Sequence, residues 1–138
     1  MGSDGNWSQT GRFTTEGNTE NEYDFLYMTD SQGANTEDYR VWANSLKNAL
    51  DDYPDARFLV MPGDLVDAGA NEGQWSDYFG QPQDLLMNLP LMATIGNHEG
   101  PNNNNFFYHL ICRTTRTPIP NREVRFIPLI TGPLISWY

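Results

Sequence analysis

The sequence predicts an α/β fold with parallel strands, and three observations carry that prediction. Short apolar runs suited to buried strands alternate with stretches whose apolar residues recur at helical spacing. Each apolar run ends on a turn rich in Gly, Asp or Asn. The chain has 138 residues, enough for one domain with a modest core. The order β-α-β-α-β requires crossover connections, which are right-handed, so the strand ends should gather at one sheet edge.

The first segment, Met1 to Asn21, is rich in Gly, Ser, Thr and Asn. Within it, the run from Asn6 to Thr15 alternates weakly, so it reads either as a polar tail or as a strand. The first strand of the main pattern spans Tyr23 to Met28 and leads to Thr29-Asp30. Thr36 can cap a helix in which Trp42, Leu46, Ala49 and Leu50 share one face, and Asp51-Asp52-Tyr53-Pro54 closes it. Arg57 to Met61 reads as a second buried strand running into Gly63-Asp64. A helix from about Glu72 carries Trp75, Tyr78 and Phe79, breaks at Gly80-Gln81-Pro82 and resumes through Leu85, Leu86 and Leu89. Pro90 introduces the third strand, Leu91 to Ile95. Trp42, Trp75 and Phe79 lie at helical spacing and are read as core rather than substrate contacts.

The chemistry-bearing residues fall on the turns after these strands. The most informative is Gly96-Asn97-His98-Glu99-Gly100, which sets an amide oxygen, an imidazole and a carboxylate side by side where open α/β sheets place their ligands. Its companions are Asp30-Ser31-Gln32-Gly33 and Gly63-Asp64-Leu65-Val66-Asp67-Ala68-Gly69. Taken in order, the turns resemble those of the calcineurin-like metallophosphoesterases, and particularly the bacterial branch close to purple acid phosphatases. The resemblance covers Glu22 to Leu110.

That resemblance implies a partial metallophosphoesterase fold, half of a four-layer α/β/β/α sandwich, and hydrolysis of a phosphate ester. It implies two divalent or trivalent metal ions of the Fe, Mn or Zn class. Asp30 would bind the first, Asp64 would bridge both, Asn97 would bind the second, and Gln32 would stand where most of the family has a metal-binding histidine. His98 would be the catalytic histidine, with Asp67 and Glu99 supporting it. The residue types suit this chemistry. Cations about 3.5–4 Å apart repel each other unless a carboxylate lies between them, and together they polarise phosphoryl oxygens. A histidine that is not a ligand can protonate a leaving alkoxide. Asp67 could fix its tautomer by accepting its other N–H. Purple acid phosphatases carry a metal-binding tyrosine at the position of Asp67, so that ligand and its iron colour are expected to be absent.

The family's metal centre also draws histidines from downstream turns, yet this chain has two histidines, His98 and His109. His109 lies in the aromatic stretch Phe106-Phe107-Tyr108-His109 and reads as a surface or half-buried strand residue rather than a ligand. Asn102 to Asn105 read as a solvated loop. The metal site expected from the chain is therefore incomplete.

After Leu110 the pattern changes. Arg113, Arg116, Arg122 and Arg125 bring positive charge, and prolines at 118, 120, 128 and 133 interrupt any helix or central strand. A basic extended tail is one reading. The preferred one is a slip of the reading frame near Leu110, because restoring one base permits text similar to the family's usual continuation. The expected organisation is a linker or remnant of a fibronectin-like β domain over 1–21, the amino-terminal part of the phosphoesterase domain over 22–110, and an atypical tail over 111–138 that packs poorly.

The net charge of −10 disfavours polymeric nucleic acid and anionic membranes as partners. No apolar run approaches the ~18–20 residues that span a bilayer, and no signal peptide is recognised, although intact relatives are expected to be secreted. The single cysteine, Cys112, excludes an internal disulfide. Oligomeric state and localisation are not legible. The alternative to an enzyme is a non-catalytic acidic metal-binding or interaction module. A nucleotide-binding domain is disfavoured because neither G-x-G-x-x-G nor G-x-x-x-x-G-K-[ST] occurs.

Overall fold

The computed structural model describes residues 2–3, 6–7, 9–15, 22–100 and 104–110. A small antiparallel pair joins β1 (Gly2–Ser3) to β2 (Asn6–Trp7), with Gly2 opposite Trp7. Residues 9–15 carry no regular structure and are exposed, so of the two readings of the run over 6–15 the strand is seen at β2 alone among the described residues. This segment still touches the domain, where the Arg12 N–H donates to the Asn88 side-chain oxygen at 2.9 Å.

The main sheet is parallel, in the order β3 (Leu26–Tyr27), β4 (Leu59–Met61), β5 (Leu91–Ala93). Leu26 aligns with Leu59 and Leu91, and Tyr27 with Val60 and Met92. The fold is therefore α/β with a three-stranded parallel sheet, consistent with part of a calcineurin-like metallophosphoesterase fold. Each strand is shorter than its apolar run, because the flanking residues leave the ladder to enter the turns.

The connections are α1 (Thr36–Asp52), then α2 (Glu72–Gly80) with α3 (Gln83–Leu86). Asn35, not Thr36, caps α1: its side-chain oxygen accepts from the N–H groups of Glu37 at 2.9 Å and Asp38 at 3.3 Å. Asparagine outranks threonine at this position, and a cap of this kind is worth about 1 kcal/mol. Thr36 becomes the first helical residue and donates its hydroxyl to Asp77 of α2. The break between α2 and α3 falls at Gln81 and Pro82, as the sequence suggests.

Successive parallel strands joined by right-handed crossovers put both connections on one face of the sheet, and α1 packs against α2. Trp42 stacks on Tyr78 at 5.6 Å and donates its indole N–H to the Tyr78 carbonyl. Leu26, Leu59 and Met61 point into this core with Tyr39, Leu46 and Trp75. The other face of the sheet carries Tyr27, which is exposed, and Phe25 stacked on Phe58 at 5.1 Å.

Residues 105–109 depart from expectation. The aromatic stretch forms a short helix, α4 (Asn105–His109), rather than a strand. Phe106 is buried against Trp75, and His109 stacks on Trp75 at 5.0 Å while meeting the Glu72 carboxylate at 2.9 Å. An i, i+3 pair facing one tryptophan favours a helix over an alternating strand. Asn105 begins this helix, and Asn104 flanks it; residues 101–103 lie outside the described residues, as does the tail expected over 111–138 with Cys112 and its arginines. Among the described residues, no helix is long and apolar enough to cross a membrane.

Candidate functional site

The turns after β3, β4 and β5 come together through the backbone. The Gln32 N–H donates to the Asp64 carbonyl at 3.1 Å, and the Ser31 hydroxyl donates to the Leu65 carbonyl at 3.3 Å. The His98 N–H donates to Asp64 Oδ1 at 3.0 Å, and the Gly69 N–H donates to the His98 carbonyl at 3.0 Å. Parallel strand ends on one edge make these contacts possible.

Two glycines permit the approach. A Cβ on Gly96 would overlap the Asp64 backbone nitrogen and carboxylate. Gly63 has φ +113°, and a Cβ there would stand 2.7 Å from the Gly96 Cα. The described non-glycine residues with positive φ are Asp30 (φ 56°) and Asp64 (φ 53°), both expected metal ligands. Aspartate tolerates this conformation better than most residues, and the remaining strain marks both turns as places where side-chain direction outweighs backbone comfort.

Asp30 is exposed and accepts the Thr29 hydroxyl at 2.7 Å. With Gln32 it borders an open cleft of about 350 Å³ whose other walls include Asp38 and Trp42 of α1. Asp64, Asn97 and His98 do not line this cleft. Gln32 Oε1 is buried and has no hydrogen-bond partner. Asn97 is exposed at the tip of the β5 turn. The expected ligands are thus joined through their turns, but the cleft itself collects only Asp30 and Gln32.

His98 sits beside Asp67. Its Nδ1 lies 2.8 Å from the Asp67 carbonyl oxygen and 3.3 Å from Asp67 Oδ1. A carbonyl only accepts, so Nδ1 carries a proton and Nε2 is the free position. The sequence suggested that the Asp67 carboxylate would fix this tautomer, but the nearer acceptor is its backbone oxygen. The His98 pKa is raised, first by that backbone hydrogen bond; burial opposes the rise, and the carboxylates of Asp64, Asp67 and Glu99 each add a smaller upward effect.

Glu99 is fully buried beneath the turns, and its carboxylate accepts backbone N–H groups from both. Two residues of α2 anchor the Asp67 loop, Gln74, which the sequence did not single out, and Trp75, which it gave only as core. Buried Gln74 accepts the Ala68 N–H at 2.7 Å, and Trp75 donates its indole N–H to the Gly69 carbonyl at 2.8 Å. A glutamine on the buried face of a short helix beside Trp75 was the available signal. His109 is engaged by Glu72 and Trp75, away from these turns.

A model of the calcineurin-like phosphoesterase family matches residues 11–135. The chain belongs to the calcineurin-like phosphoesterase family. The match includes all three turns and reaches beyond the 22–110 span that their motifs cover. No curated protein matches the chain significantly. Members of the family are generally hydrolytic phosphoesterases that typically use a dinuclear metal site. The donors available here are two carboxylates and two amides. Among the described residues, no group of three or more His, Cys, Asp or Glu side chains converges as a metal site. The orphaned Gln32 oxygen does suit a cation, because a buried acceptor without a partner costs about 1–3 kcal/mol that a ligand would offset. The oxygen donors of this set are of the type that oxygen-preferring cations accept.

Proposed function

We propose that the chain carries the first half of a metal-dependent phosphoesterase site, of the purple acid phosphatase-like bacterial branch, acting on a phosphate ester. The observation that carries this reading is the junction of His98 with both acidic parts of the Gly63–Gly69 turn. Its backbone N–H is held by the Asp64 carboxylate and its Nδ1 by the Asp67 carbonyl. This arrangement directs Nε2 away from the turn and keeps it available for proton transfer.

Asp30, Gln32, Asp64 and Asn97 would hold the metal ions. Bound metal ions supply polarisation of the phosphoryl oxygens and offset their negative charge. His98, protonated at Nε2, donates that proton to the leaving oxygen as a water oxygen bonds to phosphorus from the opposite side and the ester bond breaks, the water's proton passing to solvent. The hydrogen bond to the Asp67 carbonyl and, to a smaller extent, the carboxylates around it favour the protonated form. Asp67 holds the ring plane while the proton moves. A net charge of −10 repels phosphate until cations reverse the local field, so substrate affinity depends on metal loading.

Because the chain has two histidines and one is packed on Trp75, we hold it to be catalytically incomplete without further histidine turns. The same fact supports a second reading, a non-catalytic acidic metal-binding module. Aryl phosphate hydrolysis with added Mn²⁺, Fe²⁺ or Zn²⁺, measured on this chain and on a version with one base restored near Leu110, separates the two. Activity in the restored protein that His98→Ala abolishes while Mn²⁺ affinity persists supports the enzyme. Metal binding without turnover in both proteins leaves the module.

A further inference from the structure

The side chain of Glu99 is 0% exposed, yet it carries a carboxylate. Its Oε2 accepts the N–H of Asp64 at 3.0 Å and of Gly96 at 2.7 Å. Its Oε1 accepts the N–H of Leu65 at 2.7 Å and of Val66 at 3.0 Å. Backbone N–H groups from two separate turns therefore converge on one anion, the arrangement in which charge-assisted hydrogen bonds are shortest and strongest. The same turns bring Gly96 against Asp64 so closely that no Cβ fits. Asp64 itself is in the left-handed region, where it stays only if its surroundings dictate it.

We infer that Glu99 is a positioning residue, an anionic latch that fixes the turn after β4 against the turn after β5 and so sets the direction of the Asp64 carboxylate relative to His98. This rests on the metal-dependent reading above, since positioning Asp64 matters to function only if Asp64 receives a cation. The latch works through charge and through having two acceptor oxygens. Glutamine has the same shape but offers one oxygen, so whichever way the amide turns, its NH₂ faces N–H donors. Aspartate is one methylene shorter but keeps both acceptors and the charge.

This gives an order that simple packing would reverse. A buried side chain valued for its volume tolerates Glu99→Gln and suffers from Glu99→Asp. An anionic latch suffers more from Glu99→Gln. Amide hydrogen exchange on the metal-free chain should show Asp64, Leu65, Val66 and Gly96 losing protection in Glu99→Gln and retaining more of it in Glu99→Asp. Calorimetric titration with Mn²⁺ should show affinity falling at least tenfold in Glu99→Gln and less in Glu99→Asp. Ala49→Gly, which weakens α1 away from the site, should lower stability without changing Mn²⁺ affinity. The inference is overturned if those amides exchange as in the parent chain, if Glu99→Asp is the worse variant, or if Ala49→Gly costs as much affinity as Glu99→Gln. A parent chain that binds no Mn²⁺ overturns the metal-dependent reading and with it the positioning role, while the exchange pattern still decides whether the latch exists.

Discussion

The turns after β3 and β4 each present an aspartate in the left-handed conformation, but they are held in opposite ways. Asp64 is gripped on all sides: Glu99 takes its N–H, Gln32 donates to its carbonyl, and the His98 N–H rests on its carboxylate. Asp30 is exposed, with the neighbouring Thr29 hydroxyl on its carboxylate, and beside it Gln32 Oε1 is buried without a partner. One turn is organised before any ligand arrives, whereas the other keeps an acceptor waiting. Preorganisation costs conformational freedom at folding, and an unsatisfied acceptor costs stability until a cation is bound. On the metal-dependent reading proposed above, the site divides into a rigid half on β4 and β5 and a ligand-dependent half on β3.

The most damaging change should be Gly96→Ala, which attacks the rigid half where backbone meets backbone. The new methyl overlaps the Asp64 backbone nitrogen as well as its carboxylate, and turning the side chain away cannot relieve the backbone overlap. We expect about 3 kcal/mol of lost stability, the upper end for an overpacked position, measured by urea denaturation. Native-like stability would mean that the two turns are not pressed together as described.

Next in size is the contrast between the aspartates themselves. Asp64→Asn should weaken Mn²⁺ binding at least tenfold, about 1.4 kcal/mol, because a bridging carboxylate offsets two cations. Asp30→Asn should lose less, since a terminal carboxylate offsets only one. Equal losses by calorimetry would remove the bridging role, and no loss from either would remove the metal site.

The sequence made the rigid half's importance visible but not its construction. Gly96-Asn97-His98-Glu99 announced a site, and strand order placed it beside Asp64. The apolar periodicity of α1 and the Gly80-Gln81-Pro82 break were also readable, because local sequence decides both. Glu99 was legible as a support for the site but its manner of acting was not, since most of the N–H groups it accepts lie more than thirty residues away and main-chain groups have no sequence signature. Thr36 was mistaken for the cap because both it and Asn35 can cap a helix, and the choice depends on backbone angles that the residue types do not encode. His109 was placed on a strand because an aromatic run has strong β propensity; packing on Trp75 overrides it. The expected Asp67 carboxylate contact is secondary to its carbonyl for the same reason that the partners of Glu99 are not legible, since both are main-chain groups.

A smaller effect, with opposite signs for stability and for binding, sharpens the ligand-dependent half. Gln32→Met keeps the length of the side chain and removes the unpartnered oxygen. The metal-free chain should gain about 1 kcal/mol, while Mn²⁺ affinity falls. Thermal denaturation with and without Mn²⁺ reads both changes. A loss of stability in the metal-free chain would show that the oxygen is already satisfied, and that the β3 turn does not await a cation.

The smallest expected effect lies beneath both halves, in the buried phenols of Tyr39 and Tyr78, of which the Tyr78 hydroxyl has no hydrogen-bond partner. Burial raises both pKa values. For Tyr78 the Glu99 carboxylate adds to the effect, and for Tyr39 the nearby backbone of Gly33 and Asp67 partly offsets it. In the unfolded chain each phenol ionises near its ordinary value of 10.0. The folded chain keeps the proton above that pH, so it binds more protons than the unfolded chain and stability falls as pH rises. The contribution is therefore level below about pH 10 and lost above it. Tyr78→Phe should be neutral or stabilising by up to about 1 kcal/mol at pH 8, because an unpartnered hydroxyl leaves the core. It should also make the decline above pH 10 shallower, since one of the groups that ionises on unfolding is gone. Urea denaturation at intervals from pH 8 to about pH 11 tests both parts. An unchanged alkaline slope in Tyr78→Phe would place the titrating group elsewhere, and a marked loss of stability at pH 8 would mean that the hydroxyl has a partner after all.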